Sequence, residues 1–332
     1  MDLWSTYRAL PRPSAEAAFT IAHGAGPLRL ARSYANQPAL LIATNGSGLT
    51  PRRLANLTFA PPLEMVVDRS DGGSEQARFA VLTCIAGDAE LERYFCRVLG
   101  AFFGDVGADS VSSPTALEVE RTLDGIATLF SALHRVPRQS VQGLWGELAV
   151  IAWAHAPDVA VSAWHSGSTD LHDFALGSQR LEVKSTLGKL REHHFQLDQL
   201  TSDTTGETII ASLMLQQSSH GMSVFELAEQ IGERVGDETA ARLETIIADC
   251  LGRDWRDADA DDARFDLDAT KQTLKLYRAR DLPTVPQPLP AGIKRVHFVA
   301  DLSNARELPL VEAHAIAGLY TDLLPELTVG VP

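Results

Sequence analysis

Residues 173–184 read Asp173-Phe174-Ala175-Leu176-Gly177-Ser178-Gln179-Arg180-Leu181-Glu182-Val183-Lys184. A tight polar turn separates two short apolar segments, and this pattern predicts a β-hairpin over about residues 171–186. Because side chains alternate along a strand, Glu182 and Lys184 are expected on one face of the hairpin. Leu181 and Val183 are expected on the other face, directed into the core.

Two carboxylates and a lysine in this order suit a metal-dependent site that cleaves phosphodiesters. Asp173 and Glu182 are expected to converge across the hairpin, where two carboxylates repel each other unless a cation lies between them. Mg²⁺ fits such a site because it prefers oxygen ligands and readily takes phosphate as a further ligand, and Mn²⁺ is an alternative. The main-chain carbonyl of Val183 is a candidate for one more metal ligand. Lys184 is the candidate for orienting a metal-bound water, lowering its pKa or stabilising charge on the phosphate.

A third acid lies on a helix predicted over residues 140–154. Leu144, Leu148 and Ile151 form the apolar stripe of this helix, so Glu147 beside the stripe is expected to reach the carboxylate cluster. There it would support a second metal or orient a water ligand. Glu-x-Lys also occurs on solvated strands with purely structural roles, so the hairpin alone leaves a structural interpretation open.

Six segments of the chain carry a resemblance to a known family. They are Gly143-Leu144-Trp145-Gly146-Glu147-Leu148, Trp164, Asp173-Phe174, Leu181-Glu182-Val183-Lys184-Ser185-Thr186, His193-His194-Phe195-Gln196-Leu197-Asp198-Gln199-Leu200 and Gly221-Met222-Ser223-Val224-Phe225-Glu226-Leu227. Together they resemble the PD-(D/E)XK family catalogued as DUF4420, over about residues 140–300. The chain departs from the motif at His172, where the family has Pro, and Asp170 remains an alternative to Asp173 as the metal-binding acid.

The resemblance implies an α/β fold with a mixed sheet, namely a restriction-endonuclease-like αβββαβ core. It also implies Mg²⁺-dependent hydrolysis of DNA by the nuclease subunit of a restriction or anti-phage defence system. Partners would then include DNA and the ATPase and methyltransferase proteins encoded beside such genes. By analogy with the superfamily a homodimer is expected. Within the family, nuclease function is itself mostly inferred.

The chain pattern predicts two domains. Residues 1–110 are expected to form a smaller β-rich N-terminal domain, because short apolar runs alternate there with turn signals such as Asn45-Gly46. Residues 104–112 are expected to be a linker, and a long helix is predicted to follow from Ser113-Pro114. Residues 111–332 are expected to hold the nuclease-like domain with a C-terminal extension of helices and strands.

The bulk composition limits the function classes. The chain has 332 residues with a net charge of −14, which argues against non-specific wrapping of nucleic acid but leaves a local basic surface possible. Residues 254–268, rich in Asp, are predicted to be a solvated loop. With no signal pattern and no long apolar stretch, a cytoplasmic location without membrane attachment is expected. The cysteines Cys84, Cys96 and Cys250 are predicted to be reduced core residues.

Several polar residues near the hairpin are candidates for binding substrate. Gln199 would contact a phosphate or a metal-bound water, with hydrogen bonding to backbone at a helix start as the alternative. Lys189 and Arg191 would contact phosphate as part of a basic rim. That rim is expected to comprise Arg135, Arg138, Arg180, Lys189 and Arg191.

A non-catalytic DNA- or protein-binding assembly module on the same fold is the competing interpretation. The position of the Lys184 ammonium discriminates between the two. Proximity to Asp173 and Glu182 favours an enzyme, whereas a side chain directed into solvent favours the module.

Overall fold

The structure, a computed structural model, describes residues 2–22, 26–44, 48–54, 56–103, 113–164, 171–201 and 206–326. The Asn45-Gly46 turn, the linker over 104–112 and the alternative acid Asp170 lie outside these residues. The chain divides into two compact units, residues 1–134 and 135–332. The helix predicted after Ser113-Pro114 therefore packs with the first unit. The boundary near residue 110 remains a prediction about independently folding domains.

The N-terminal unit combines a curved sheet with helices. Its elements are α1 (Leu3–Ala9), β1 (Phe19–Ile21), β2 (Leu28–Ser33), β3 (Pro38–Ala43), β4 (Arg52–Arg53), β5 (Leu57–Arg69), β6 (Ser74–Cys84), α2 (Ala89–Phe103) and α3 (Ala116–Ala132). The strand order is β1-β2-β3-β6-β5-β4, and β1 also pairs in parallel with β5. These pairings close a ring through β1, β2, β3, β6 and β5, which leaves those strands without a free sheet edge.

Local sequence explains two details of this unit. The pairing of β5 with β6 shifts register between Ala60 and Leu63. Pro61 and Pro62 lie at that point, and a proline has no N–H to donate to the ladder. The helix α3 begins with a capping box in which Thr115 and Glu118 satisfy each other's backbone N–H groups.

The C-terminal unit mixes helices and strands. Its elements are α4 (Val141–Trp153), α5 (Pro157–Ala163), β7 (Phe174–Leu176), β8 (Gln179–Thr186), β9 (Glu192–Gln196), α6 (Leu197–Thr201), β10 (Thr208–Met214), β11 (Gln217–Met222), α7 (Val224–Gly232), α8 (Asp237–Leu251), α9 (Leu267–Lys271), β12 (Lys275–Arg278), β13 (His297–Asp301), α10 (Leu310–Ala315) and α11 (Leu319–Leu323), with short 3₁₀ helices at Gly252–Asp259, Asp261–Ala263 and Ala279–Asp281.

A four-stranded mixed sheet positions the hairpin. Its order is β12-β10-β8-β7, with β8 parallel to β10 and the other two pairs antiparallel. The predicted hairpin is thus present as β7 and β8. Strand β10, next to β8, is mostly buried. Strands β9 and β13 form a separate antiparallel pair.

Both faces of β8 are covered, which differs from the expectation of one core face. Helix α4 lies on the Leu181 and Val183 face, where Gly146 approaches Ser185 so closely that a Cβ would stand 3.0 Å from the Ser185 Cβ. The opposite face carries Glu182, which is buried as well. A second polar face is therefore built into the interior, and its side chains need partners there.

Further sequence expectations meet the structure in different ways. The three cysteines are free and buried, as predicted. The prediction of a solvated loop over 254–268 is wrong in part. This segment contains 3₁₀ helices and the start of α9, and it buries Trp255 and Phe265. Within the described residues, no helix combines the length and apolar character needed to cross a membrane.

Candidate active site

Asp173 stands immediately before β7, at the entry to the hairpin. Since Phe174 pairs with Leu181, Asp173 continues the register opposite Glu182. Its Oδ2 accepts a 2.7 Å hydrogen bond from the backbone N–H of Val183. Because β7 has not yet begun at this residue, the side-chain carboxylate of Asp173, and not a backbone carbonyl, accepts the hydrogen bond from the Val183 N–H.

Glu182 is the most buried acid of the hairpin, with 2% of its surface exposed. Its Oε1 lies 2.7 Å from the Lys184 Nζ and accepts a 2.5 Å hydrogen bond from the Gln199 Nε2. Its Oε2 is buried and has no hydrogen-bond partner among the described residues. One oxygen of the carboxylate therefore has two polar partners, and the other has no hydrogen-bond donor among the described residues.

Lys184 is directed to Glu182 and not into solvent. Its side chain is 17% exposed, its Nζ also lies 3.3 Å from the Gln199 Oε1, and the ammonium stands 5.3 Å from the ring centroid of Phe195. Burial opposes the charge, but the negative charges of Glu182 and Asp173 outweigh it and raise the pKa of Lys184. The ammonium therefore stays charged at neutral pH.

Glu147 joins this cluster from helix α4. Its Oε2 accepts a 2.7 Å hydrogen bond from the Trp164 Nε1, and its Oε1 accepts one from the Gln139 Nε2. Burial, with the Glu182 charge adding to it, raises the pKa of Glu147 to about 7. The same two causes, together with the charge of Glu147, raise the pKa of Asp173 well above its usual value.

Glu147 and Asp173 also interact electrostatically, because the negative charge of Glu147 raises the pKa of Asp173. Protonation of Glu147 therefore favours ionisation of Asp173.

Gln199 lies in the short helix α6 and is buried. The structure brings its amide to both Glu182 and Lys184. Its Oε1 also accepts the backbone N–H of Gln196, so the alternative of hydrogen bonding to backbone is met at the same time. His172, which replaces the motif Pro, is buried beside it and donates from Nε2 to the Gln199 carbonyl oxygen at 3.1 Å.

The predicted basic rim separates into different environments. Arg191 is buried and donates to the Ser212 carbonyl and hydroxyl oxygens, both at 2.9 Å, so its guanidinium is directed into the protein. Arg180 donates to carbonyl oxygens of the hairpin turn, and Arg135 pairs with Asp249 at 2.9 Å. Lys189 is exposed. It lines a cavity of about 460 Å³ together with Thr186, Gly188, Leu190, Glu192, His194 and Val299.

The sequence predicted only some of the polar residues of this site. Asp173, Glu182, Lys184 and Glu147 meet as expected. Gln139 and His172 are additions, because Gln139 lies outside the predicted helix and nothing in the sequence assigned a hydrogen bond to His172. Trp164 is buried, and the sequence did not predict the hydrogen bond from its N–H to Glu147.

The donor set is compatible with a hard divalent cation. Asp173 and the unsatisfied Oε2 of Glu182 are carboxylate oxygens on one side of the hairpin, and a buried acceptor without a donor is a position that a cation can satisfy. Both oxygens of Glu147 already accept hydrogen bonds, which suits a supporting role for that residue. Within the described residues, no group of three or more His, Cys, Asp and Glu side chains is arranged to hold a metal ion.

Comparison with known families identifies the family of this chain. The family model described as "Putative PD-(D/E)XK family member (DUF4420)" matches residues 5–303. The chain therefore belongs to this family, and the match extends through the N-terminal unit, well beyond residues 140–300. Neither a curated protein nor a solved structure shows a significant match.

Proposed function

We propose that this protein is a metal-dependent endodeoxyribonuclease that hydrolyses DNA phosphodiester bonds, with Mg²⁺ as its cofactor and Mn²⁺ as a substitute. One observation carries the proposal. The Lys184 ammonium lies 2.7 Å from one oxygen of Glu182, while the other oxygen of the same carboxylate is buried without a partner among the described residues. In this arrangement the lysine serves the attacking nucleophile, and the unsatisfied carboxylate oxygen serves the cation.

The finer fold proposal is a restriction-endonuclease-like αβββαβ core. Helix α4 supplies the first helix, β7 and β8 the hairpin, and α6 and β10 the second helix and last strand. An isolated antiparallel bridge between Trp164 and Phe174 lies where the first of three strands would stand. The parallel pairing of β8 with β10 also supports this order.

The residues divide into three roles. Asp173 and Glu182 would hold the cation, with the Val183 carbonyl as a further oxygen. A bound divalent cation supplies Lewis-acid chemistry and a water of lowered pKa. Lys184 orients the attacking water by hydrogen bonding and stabilises negative charge on the phosphate. Glu147, held by Gln139 and Trp164, supports the site, and its negative charge raises the pKa of Asp173.

Substrate contacts are proposed at the end of β8. Thr186 lies two residues beyond Lys184 on the same face, and it lines the cavity that Lys189 also borders. Lys189 is therefore placed to contact a phosphate next to the reacting one. In a chain with a net charge of −14, such local cations determine where DNA can approach.

The biological setting is proposed from family membership. The protein would be the nuclease subunit of a restriction or anti-phage defence system, acting with ATPase and methyltransferase partners in the cytoplasm, as a homodimer that cuts both strands. A non-catalytic binding module remains the competing function. The net charge of −14 counts in favour of that module, because it opposes the approach of DNA to a catalytic site.

Plasmid cleavage tests the proposal. Purified wild type, Lys184→Ala and Lys275→Ala are compared with Mg²⁺, with Mn²⁺ and with EDTA. Lys275 is a matched control because it is a half-exposed lysine of the same sheet, on β12 two strands away from β8, and it pairs with Glu307 and not with an acid of the hairpin. Cutting by wild type and Lys275→Ala, but not by Lys184→Ala or with EDTA, is expected. Cutting that survives Lys184→Ala would exclude this site, and DNA or partner binding without any cutting would favour the module.

A further inference from the structure

The side-chain amide of Gln199 joins three parts of the site. Its Nε2 donates to the Glu182 Oε1 at 2.5 Å and to the Leu171 carbonyl oxygen at 3.2 Å. Its Oε1 accepts from the Lys184 Nζ at 3.3 Å and from the backbone N–H of Gln196 at 3.0 Å. One amide therefore links the entry to the hairpin, the acid and lysine of β8, and the end of β9.

These contacts decide which oxygen of Glu182 is available. Both donors, the amide of Gln199 and the ammonium of Lys184, reach Oε1. Oε2 is buried with no partner among the described residues. Leaving a buried acceptor unsatisfied is unfavourable, so the carboxylate would rotate to share its donors if they did not hold Oε1.

His172 fixes Gln199 from the other side. Its Nε2 lies 3.1 Å from the Gln199 carbonyl oxygen, and because a carbonyl can only accept, the ring N–H donates. The neighbouring Leu171 carbonyl accepts from the Gln199 amide in return. Helix α6 is only five residues long, so this two-way link to residues 171–172 supplies rigidity that so short a helix lacks.

We infer that Gln199 is a positioning residue, held by His172, that presents the Oε2 atom of Glu182 to a divalent cation. The inference rests on the proposed function and adds the device that orients the acid. Hydrogen-bond partners of metal ligands fix the direction of the ligand atom, and replacing such partners lowers metal affinity by about 10–100-fold. Gln199→Met has nearly the length of glutamine but has no amide, so Glu182 would be free to share Oε2 with Lys184.

The test measures binding of Mn²⁺ alone to the full-length protein without DNA, by electron paramagnetic resonance of the free ion. Gln199→Met is expected to raise the Kd for Mn²⁺ by about 10–100-fold. Gln196→Met is the matched control, because Gln196 is an exposed glutamine that contributes only its backbone N–H to this network. Its Kd is expected to equal that of wild type.

A second pair of variants keeps the test decisive if Gln199→Met does not fold. His172→Leu removes the donor to the Gln199 carbonyl, and His172→Gln restores an N–H at nearly the same reach. The Kd for Mn²⁺ is expected to rise in His172→Leu and to return towards wild type in His172→Gln. A purely structural role would instead lower the thermal midpoint without changing the Kd of the folded protein.

The outcomes separate this inference from the proposed function. Binding by wild type with unchanged Kd in Gln199→Met and His172→Leu would overturn the positioning role while leaving the nuclease proposal intact. No Mn²⁺ binding by wild type would overturn both. Weaker binding in both variants, with rescue by His172→Gln, would support the inference.

Discussion

The Trp164 Nε1 donates a 2.7 Å hydrogen bond to the Oε2 of Glu147. Trp164 ends helix α5 and pairs with Phe174 at the start of the hairpin, whereas Glu147 lies on α4. This bond therefore connects α4, which covers β8, to the residue that pairs with the start of β7, next to Asp173. Because both groups are buried, each depends on the other for its hydrogen bond.

Replacing Trp164 by Phe tests this connection. Trp164→Phe keeps an aromatic ring but leaves the Glu147 Oε2 without its indole donor. The free energy of unfolding is expected to fall by about 1–3 kcal/mol, the cost of an unsatisfied buried acceptor. Urea unfolding at pH 8, followed by circular dichroism, measures the loss.

Trp153→Phe is the matched control for that variant. The Trp153 side chain is also buried, but its Nε1 has no hydrogen-bond partner among the described residues. Trp153→Phe therefore removes ring volume without removing a hydrogen bond. Equal losses in the two variants would show that the Glu147 contact contributes nothing beyond packing.

The raised pKa of Glu147 predicts a pH dependence of stability in the absence of divalent cations. The pKa of Glu147 is raised to about 7 by burial. A carboxyl whose folded-state pKa is raised binds more protons folded than unfolded, so stability falls as pH rises between about 4.5 and 7. The fall is expected to be on the order of 3 kcal/mol.

Glu147→Gln is the control for the pH prediction. Glutamine keeps an acceptor for the Trp164 N–H and does not titrate. The free energy of unfolding of this variant is expected to vary less between pH 5 and pH 8 than that of wild type. Curves of the same slope would assign the pH dependence to other groups.

A double-mutant cycle tests the buried pair of Lys184 and Glu182. Glu182→Gln leaves a mostly buried ammonium without its partner, so the single variant is expected to lose about 3 kcal/mol of stability. The double variant, Glu182→Gln with Lys184→Met, should lose less than the sum of the two singles. Urea unfolding at pH 7 gives all four values.

The exposed pair of Lys275 and Glu307 provides the comparison cycle. Their side chains are 42% and 48% exposed, so solvent screens the attraction. The coupling energy of this pair is expected to be at most about 1 kcal/mol. A coupling as small for Lys184 and Glu182 would mean that solvent screens the hairpin pair equally well.

The absence of a side chain at Gly146 allows α4 to lie close to β8, and adding a methyl group there tests this close approach. A Cβ at this position would stand 3.0 Å from the Ser185 Cβ, so Gly146→Ala is expected to lose about 1–3 kcal/mol of stability. Gly232→Ala, at the end of α7, is the control because nothing lies within 4 Å of its added Cβ. That variant is expected to be neutral or slightly stabilised, as glycine is unfavourable in a helix. Thermal unfolding compares the two, and similar midpoints would contradict the close approach.

Local sequence was sufficient to predict the hairpin and the relative positions of its two acids and its lysine. A strand alternates its side chains with a period of two, so Glu182 and Lys184 share a face wherever the hairpin lies. The turn sets the register, which places Asp173 opposite Glu182. The family expectation rests on the same short-range features, although the family match extends to residue 5.

Positions that depend on packing were beyond the reach of the sequence. Arg191 is a basic residue in a polar segment, and only the fold shows that it is directed inwards to Ser212. The ring of strands in the N-terminal unit depends on β1 pairing with β5, which is more than thirty residues further along the chain. No local pattern encodes a pairing between strands so far apart.

By itself, therefore, the sequence determined which chemical groups the candidate site contains: two acids and a lysine on one hairpin, and a third acid on the helix before it. The tertiary structure decided how those groups are shared. It directed Lys184 and Gln199 to the same oxygen of Glu182 and bonded Glu147 to Trp164. The physical reason is that alternation and turn geometry act over a few residues. A hydrogen bond between buried groups is instead set by the packing of α4, α6 and β8 as whole elements.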